Sequence, residues 1–163
     1  MGFETFRVEL RGGPATFAQA DSTIRQLPHV QPDQDSIRSP GSAYYTVEDG
    51  AHVIEIEVAD TPVKVSCRFT LCHPPTVDAA FLGLVQEVQG RLGMEAAICD
   101  DVRPEDARWY SAAQFSEFAS AVSGYIAARR AEWTANFGAT QLAAKTPEVY
   151  AKIILPKCVP VTG

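Results

Sequence analysis

The sequence predicts an α+β fold: a split βαβ or ferredoxin-like sandwich with a three-stranded antiparallel meander and a helical C-terminal extension. Residues 43–69 alternate apolar and polar side chains about two turn signals, as a half-buried meander requires. Amphipathic stretches at helical spacing, each opened by a Thr or Ser, lie on either side of that alternation. Further strand-like runs stand near the beginning of the chain and after residue 93, so helices can collect on one face of a single sheet.

In FETFRVELR, Phe6, Val8 and Leu10 fall on one face and Thr5, Arg7, Glu9 and Arg11 on the other. Gly12, Gly13 and Pro14 break the strand. Thr16 and Gln19 then have capping-box spacing, and Phe17, Ala20, Ile24 and Leu27 continue at helical spacing to Pro28. With Pro28, Pro32 and Pro40 in it, the stretch 28–41 reads as an exposed loop.

Asp49-Gly50 between two alternating runs is a hairpin signal, because a type I′ turn needs positive φ at both central residues. A two-residue turn there sets Val47 opposite His52, Tyr45 opposite Ile54 and Ala43 opposite Ile56. A second turn at Asp60-Thr61 sets Val58 opposite Val63, Ile56 opposite Val65, Ile54 opposite Cys67 and Glu57 opposite Lys64. Both registers collect the same apolar set on one face, and a one-residue slip would destroy that agreement.

Thr76 is placed to cap a helix carrying Val77, Phe81, Leu84, Val85, Val88 and Leu92, with Gly93 as its terminator. MEAAIC is a short last strand and DDVRPEDARWY a loop. Ser111 and Gln114 form a second capping box before Phe115, Phe118, Val122, Ile126, Trp133 and Phe137, with a kink expected at Ser123-Gly124 and an end at Gly138. Thr146-Pro147-Glu148 opens a final short helix that Pro156 closes. The reading is one domain, with an α+β core over 1–101 and a helical extension packed on it over 102–163. The outer sheet face, with Tyr44, Thr46, Val53, Glu55, Glu57, Lys64, Ser66 and Arg68, is half open unless the C-terminal helices fold over it.

The chain has 163 residues, 46% hydrophobic and 21% charged, an ordinary globular composition. Lys plus Arg is 14 against 20 for Asp plus Glu, giving a net charge of -6 that argues against nucleic acid or an anionic membrane as the partner. A protein partner with a basic surface fits better. The opening MGFETFRVELRGG has neither the basic region nor the apolar run of a signal peptide, and Phe6 stands where a Gly2 myristoylation pattern wants Ser or Thr. The expectation is a cytoplasmic protein. The four cysteines, Cys67, Cys72, Cys99 and Cys158, form no C-x-x-C pair and read as free thiols.

Two segments invite a chemical reading. SCRFTLCHPP brings Cys67, Cys72 and His73 together, yet the two thiols have opposite parity on a strand and stand about 16 Å apart at ~3.3 Å per residue. In preference to a metal site or a Cys72 nucleophile, the expectation is Cys67 as a buried small hydrophobe and the rest of the stretch as a strand end stopped by Pro74-Pro75, with no metal and no cofactor. The second segment sets Asp100, Asp101, Glu105 and Asp106 beside Arg108, Trp109 and Tyr110 after the last strand. Carboxylates in a loop at a strand end can bind a cation or act as acid and base, so a small enzyme or ligand-binding domain using Asp100, Asp101 and Glu105 is the alternative function. A solvated loop is the plainer account. The mixture of acids with Trp, Tyr and Arg matches an interface hot spot.

RGGPAT, residues 11–16, reads as a tight strand-to-helix turn in preference to a phosphate cradle. His52 is expected as a satisfied histidine at the sheet edge, and His29 stands among prolines. Tyr125, Arg129, Arg130 and Trp133 share one side of the long helix as packing or a solvated face.

One α+β domain, many carboxylates and an aromatic-bearing acidic loop together resemble the small acidic cytosolic immunity proteins that bacteria pair with toxins. The resemblance spans the layout of the whole chain and implies a non-catalytic module that neutralises a partner, such as a basic toxin domain, by covering its active site. Negative charge would speed that association.

Overall fold

The period of two in Thr5–Arg11 makes this segment a strand, β1, and sends Phe6, Val8 and Leu10 to one face, where all three are fully buried. The structure is a computed structural model and describes residues 5–32, 41–49, 52–71, 75–100 and 102–137. Gly12 and Gly13, at φ 81° and 74°, turn the chain into α1 (Phe17–Arg25). Thr16 caps α1: its Oγ1 accepts the Gln19 N–H at 3.2 Å, and Gln19 Oε1 accepts the Thr16 N–H at 2.9 Å. A Cβ on Gly13 would lie 2.5 Å from the Gly93 carbonyl oxygen. Both glycines take the positive φ of the turn and Gly13 alone serves a close backbone approach, which is the structural account of RGGPAT.

Beyond α1 come β2 (Val30–Pro32), β3 (Ser42–Glu48), β4 (Val53–Ala59) and β5 (Lys64–Thr70). After them follow α2 (Val77–Leu92), β6 (Glu95–Ile98), a 3-10 turn (Ala112–Gln114) and α3 (Phe115–Phe137). The six strands form one antiparallel sheet in the order β2-β3-β4-β5-β1-β6. Because β5 and β6 both run antiparallel to β1, they are parallel to each other, and α2 is the crossover between them. The core gathers the inner sheet face, Ala20 and Ile24 of α1, Phe81, Val85 and Val88 of α2, and Phe118, Val122 and Ile126 of α3. Among the described residues the helix beyond position 101 is thus part of the same core.

The predicted meander is present with Ile54 and Cys67 buried, but both registers differ from expectation by two residues. Val47 faces Ile54, Tyr45 faces Ile56 and Ala43 faces Val58. Ile56 faces Cys67, Val58 faces Val65, and Glu57 faces Ser66 in place of Lys64. Each turn holds four residues where two were expected. In the first, the Asp49 carboxylate accepts the His52 N–H at 2.7 Å, so the side chain closes the loop. In the second, a two-residue turn would have put Pro62 in the ladder opposite Ala59, where its missing N–H loses a bond; the longer turn places it outside the ladder. A shift of two leaves every side chain on its face, which is why the core came out as read.

Other expectations change. The stretch read as a loop over 28–41 contains β2, a three-residue edge strand in which Pro32 is tolerated because one side of an edge needs no donor. Thr76 has αR backbone and makes no side-chain cap; its hydroxyl instead lies 2.8 Å from His52 Nε2. Gly93 ends α2 at φ 63° as expected. The helix α3 runs as one span through Ser123 and Gly124. On the outer sheet face Thr46, Val53 and Ser66 are buried, so that face is less open than predicted. The expected stop at Gly138 and the helix opened at Thr146 lie outside the described residues, as do Cys72, His73, Pro74 and Cys158.

Two expectations for experiment follow from this packing. Gly13→Ala meets both positive φ and the Gly93 carbonyl, and should lower unfolding free energy by about 1–3 kcal/mol in denaturant titration. Gly12→Ala, with nothing within 4 Å of its Cβ, should cost less. The second concerns pH. Burial pushes the Cys67 thiol from 9.0 up to about 12. Burial, with the hydrogen bond to Asp21, pushes the Tyr45 phenol from 10.0 up to about 12. Both groups are neutral in the fold, so their contribution is complete below the ordinary values and is lost as pH rises toward 12, because the unfolded chain ionises first. Melting temperature should fall through that alkaline window, and Cys67→Ala should shallow the fall.

Candidate functional site

The segment after β6 is braced at both ends. At its start, Cys99 donates its N–H to the Arg7 carbonyl at 3.2 Å, and the Arg7 guanidinium returns a bond to the Cys99 carbonyl at 3.0 Å. Asp100 forms an ion pair with Arg129 of α3, with 8% and 14% of the two side chains exposed. At its end, Tyr110 exchanges backbone bonds with Ala96 at 2.9 and 2.8 Å, and its carbonyl also accepts from Gln89 Nε2 at 2.8 Å. The Tyr110 ring packs on Phe118 at 5.5 Å between centroids.

Between these anchors the chain turns on itself through the Asp106 N–H to the Arg103 carbonyl, 2.9 Å. Arg103 reaches Asp106 at 3.0 Å and Glu105 at 3.7 Å. The Trp109 indole N–H donates to the Pro104 carbonyl at 2.9 Å, and the Arg11 guanidinium lies over the Trp109 ring at 4.5 Å. Arg108 pairs with Glu117 at 3.2 Å and covers the Tyr110 ring at 4.6 Å. Val102, also in this loop, is the exposed large hydrophobic residue among the described ones.

The predicted cluster therefore divides. Glu105, Asp106 and Arg108 are exposed, Trp109 is half-buried, Tyr110 is core, and Asp100 is turned inward to Arg129. Asp101 lies outside the described residues. Asp100 and Glu105 do not converge, since one faces α3 and the other Arg103. Arg129 and Arg130 were read as packing or a solvated face; both are half-buried ion-pair partners, Arg130 holding Asp78 through two 2.7 Å contacts. Nothing in their helical spacing signals this, because their partners lie 29 and 52 positions away.

His52 is satisfied as expected, with Nδ1 3.0 Å from Asp49 and Nε2 2.8 Å from Thr76. Burial raises both Cys67 and Cys99, and the Glu9 charge adds to the rise at Cys99, so neither thiol is poised to ionise near neutrality. No described helix is long and apolar enough to cross a membrane.

A second polar feature lies on the outer sheet face: a cavity of about 280 Å³ lined by Arg7, Tyr44, Glu55, Glu57, Ser66 and Arg68. Side-chain alternation puts most of these residues on a common face, but alternation does not encode that β1 borders β5 and so brings Arg7 opposite Arg68.

No protein-family model, no curated protein and no solved structure matches the chain.

The division of the cluster predicts different costs. Asp100→Asn removes the charge of Asp100 from its largely buried pair with Arg129 and should cost about 3 kcal/mol in denaturant unfolding. Glu105→Gln, at an exposed pair, should change stability by less than about 0.5 kcal/mol.

Proposed function

We propose that the protein is a non-catalytic protein-binding module, with immunity-type inhibition of a toxin-like partner as its leading form. The contact surface is the exposed part of the braced loop: Val102, Glu105, Asp106, Arg108 and the accessible edge of Trp109. The observation that carries this reading is Val102, the large hydrophobic residue left exposed among the described residues, placed in the same loop as a half-buried Trp and four exposed charged residues, Arg103, Glu105, Asp106 and Arg108. Trp and Arg are enriched at the centres of interfaces, and a loop already held by Pro104, Arg11 and Arg103 has little ordering left to lose on binding.

Charge supports a basic partner through the chain as a whole. Within the loop Arg103 and Arg108 offset the nearby acids, whereas the chain carries a net -6 that attracts cationic surfaces over several ångströms. The finer fold reading goes with this proposal. The order β6-β1-β5-β4, with α1 and α2 in the connections, supports a ferredoxin-like split βαβ core extended by β3 and β2.

The test uses Glu105 and Asp106 and leaves Asp100 intact, because Asp100 is needed for stability. Wild type and the Glu105→Gln, Asp106→Asn double variant would be used as bait in a lysate of the source organism, and captured partners remeasured by surface plasmon resonance. The expected result is slower association and a flatter salt dependence for the double variant, and faster dissociation by about 2 kcal/mol for Trp109→Ala. Equal kinetics for all three proteins would overturn the placement of the surface. A turnover abolished by Glu105→Gln would favour the enzyme alternative.

A further inference from the structure

We propose that the cavity on the outer sheet face binds a small amino-acid-like zwitterion, its carboxylate between the Arg7 and Arg68 guanidinium groups and its ammonium group toward Glu57. This goes beyond the loop surface and does not depend on it.

Across the sheet, Glu55, Arg68 and Arg7 stand in one row on β4, β5 and β1. Two arginines directly opposite each other on adjacent strands repel. Glu55 compensates Arg68 through contacts of 2.6 and 3.3 Å. Arg7 is different. It is exposed, its guanidinium donates to the uncharged Cys99 carbonyl, and among the described residues it forms no ion pair. The row therefore carries surplus positive charge at the cavity wall.

The adjacent row has the opposite surplus. Glu57 faces Ser66 on β5 and Tyr44 on β3, and its contact is the Tyr44 hydroxyl, which donates to it at 3.4 Å. Among the described residues Glu57 forms no ion pair. The two rows are two residues apart along the strands, about 7 Å at ~3.4 Å per residue. A cation acceptor and an anion acceptor thus open into one cavity, which Ser66 of the second row also lines.

The four charged groups sum to zero, so a dianion such as phosphate would meet Glu55 and Glu57 without compensation. A zwitterion meets both surpluses: its carboxylate takes charge-assisted hydrogen bonds from the arginines and its ammonium group faces a carboxylate. The volume of about 280 Å³ is just under the ~300–1,000 Å³ usual for ligand pockets, which suits a ligand of amino-acid size.

The experiment is an NMR titration of the full chain with L-alanine, acetate, methylammonium and inorganic phosphate, following the Nε–H signals of Arg7 and Arg68. L-alanine should shift both saturably, with acetate, methylammonium and phosphate each at least about tenfold weaker. Arg7→Gln should weaken L-alanine about tenfold with an unchanged circular dichroism spectrum. Glu57→Gln should bring L-alanine down to the level of acetate while leaving acetate itself unchanged. No saturable shift with L-alanine, phosphate binding as tightly as L-alanine, or undiminished discrimination in Glu57→Gln would overturn the proposal. If Arg7→Gln disturbs the fold, the Glu57→Gln comparison decides alone.

Discussion

Four aromatic rings hold the layers of this fold together. Phe6 of β1 faces Phe69 of β5 in register, and both meet Phe81 of α2, with centroid separations of 5.7 Å for Phe6 to each partner and 4.9 Å between Phe69 and Phe81. Tyr125 of α3 closes the cluster at 5.6 Å from Phe6. Tilted and edge-on rings at such distances gain electrostatically as well as by burial. The meander extends from β5, the braced loop hangs from β6 beside β1, and α3 reaches that loop only because Tyr125 and its neighbours dock here. Contacts spanning positions 6 to 125 thus tie β1 and β5 to α2 and α3.

How much of this was legible in the sequence depends on whether the signal was local. Side-chain alternation is a property of one strand, so the faces of Phe6, Ile54 and Cys67 could be read from their own neighbours. Turn length is not. The Asp49 side chain bonding the His52 N–H and the displacement of Pro62 from the ladder are choices between nearly equal local alternatives, settled by the loop as a whole. β2 was hidden because prolines disfavour a strand everywhere except at an edge, and edge status is a tertiary fact.

The candidate surfaces divide along the same line. Composition marks the stretch 100–110 as unusual, and its described residues form a braced loop with Val102 exposed. Which acid faces outward was not legible: Asp100 and Glu105 are chemically alike in sequence, and only the position of Arg129 on α3 separates them. The outer-face cavity was less legible still. Arg7 and Arg68 are 61 positions apart, and their opposition arises from β1 lying beside β5, an arrangement that a strand's own pattern does not encode.

Arg129 and Arg130 are consecutive on α3 yet grip carboxylates on different elements, Asp100 past the end of β6 and Asp78 in the first turn of α2. Consecutive helical residues point about 100° apart. Turning α3 about its own axis in either direction would pull one guanidinium off its carboxylate before the other could follow. The two pairs therefore fix the helix's rotational phase. Phe118, Val122 and Ile126 turn one face of α3 to the core, and this forked grip holds that orientation from the flank.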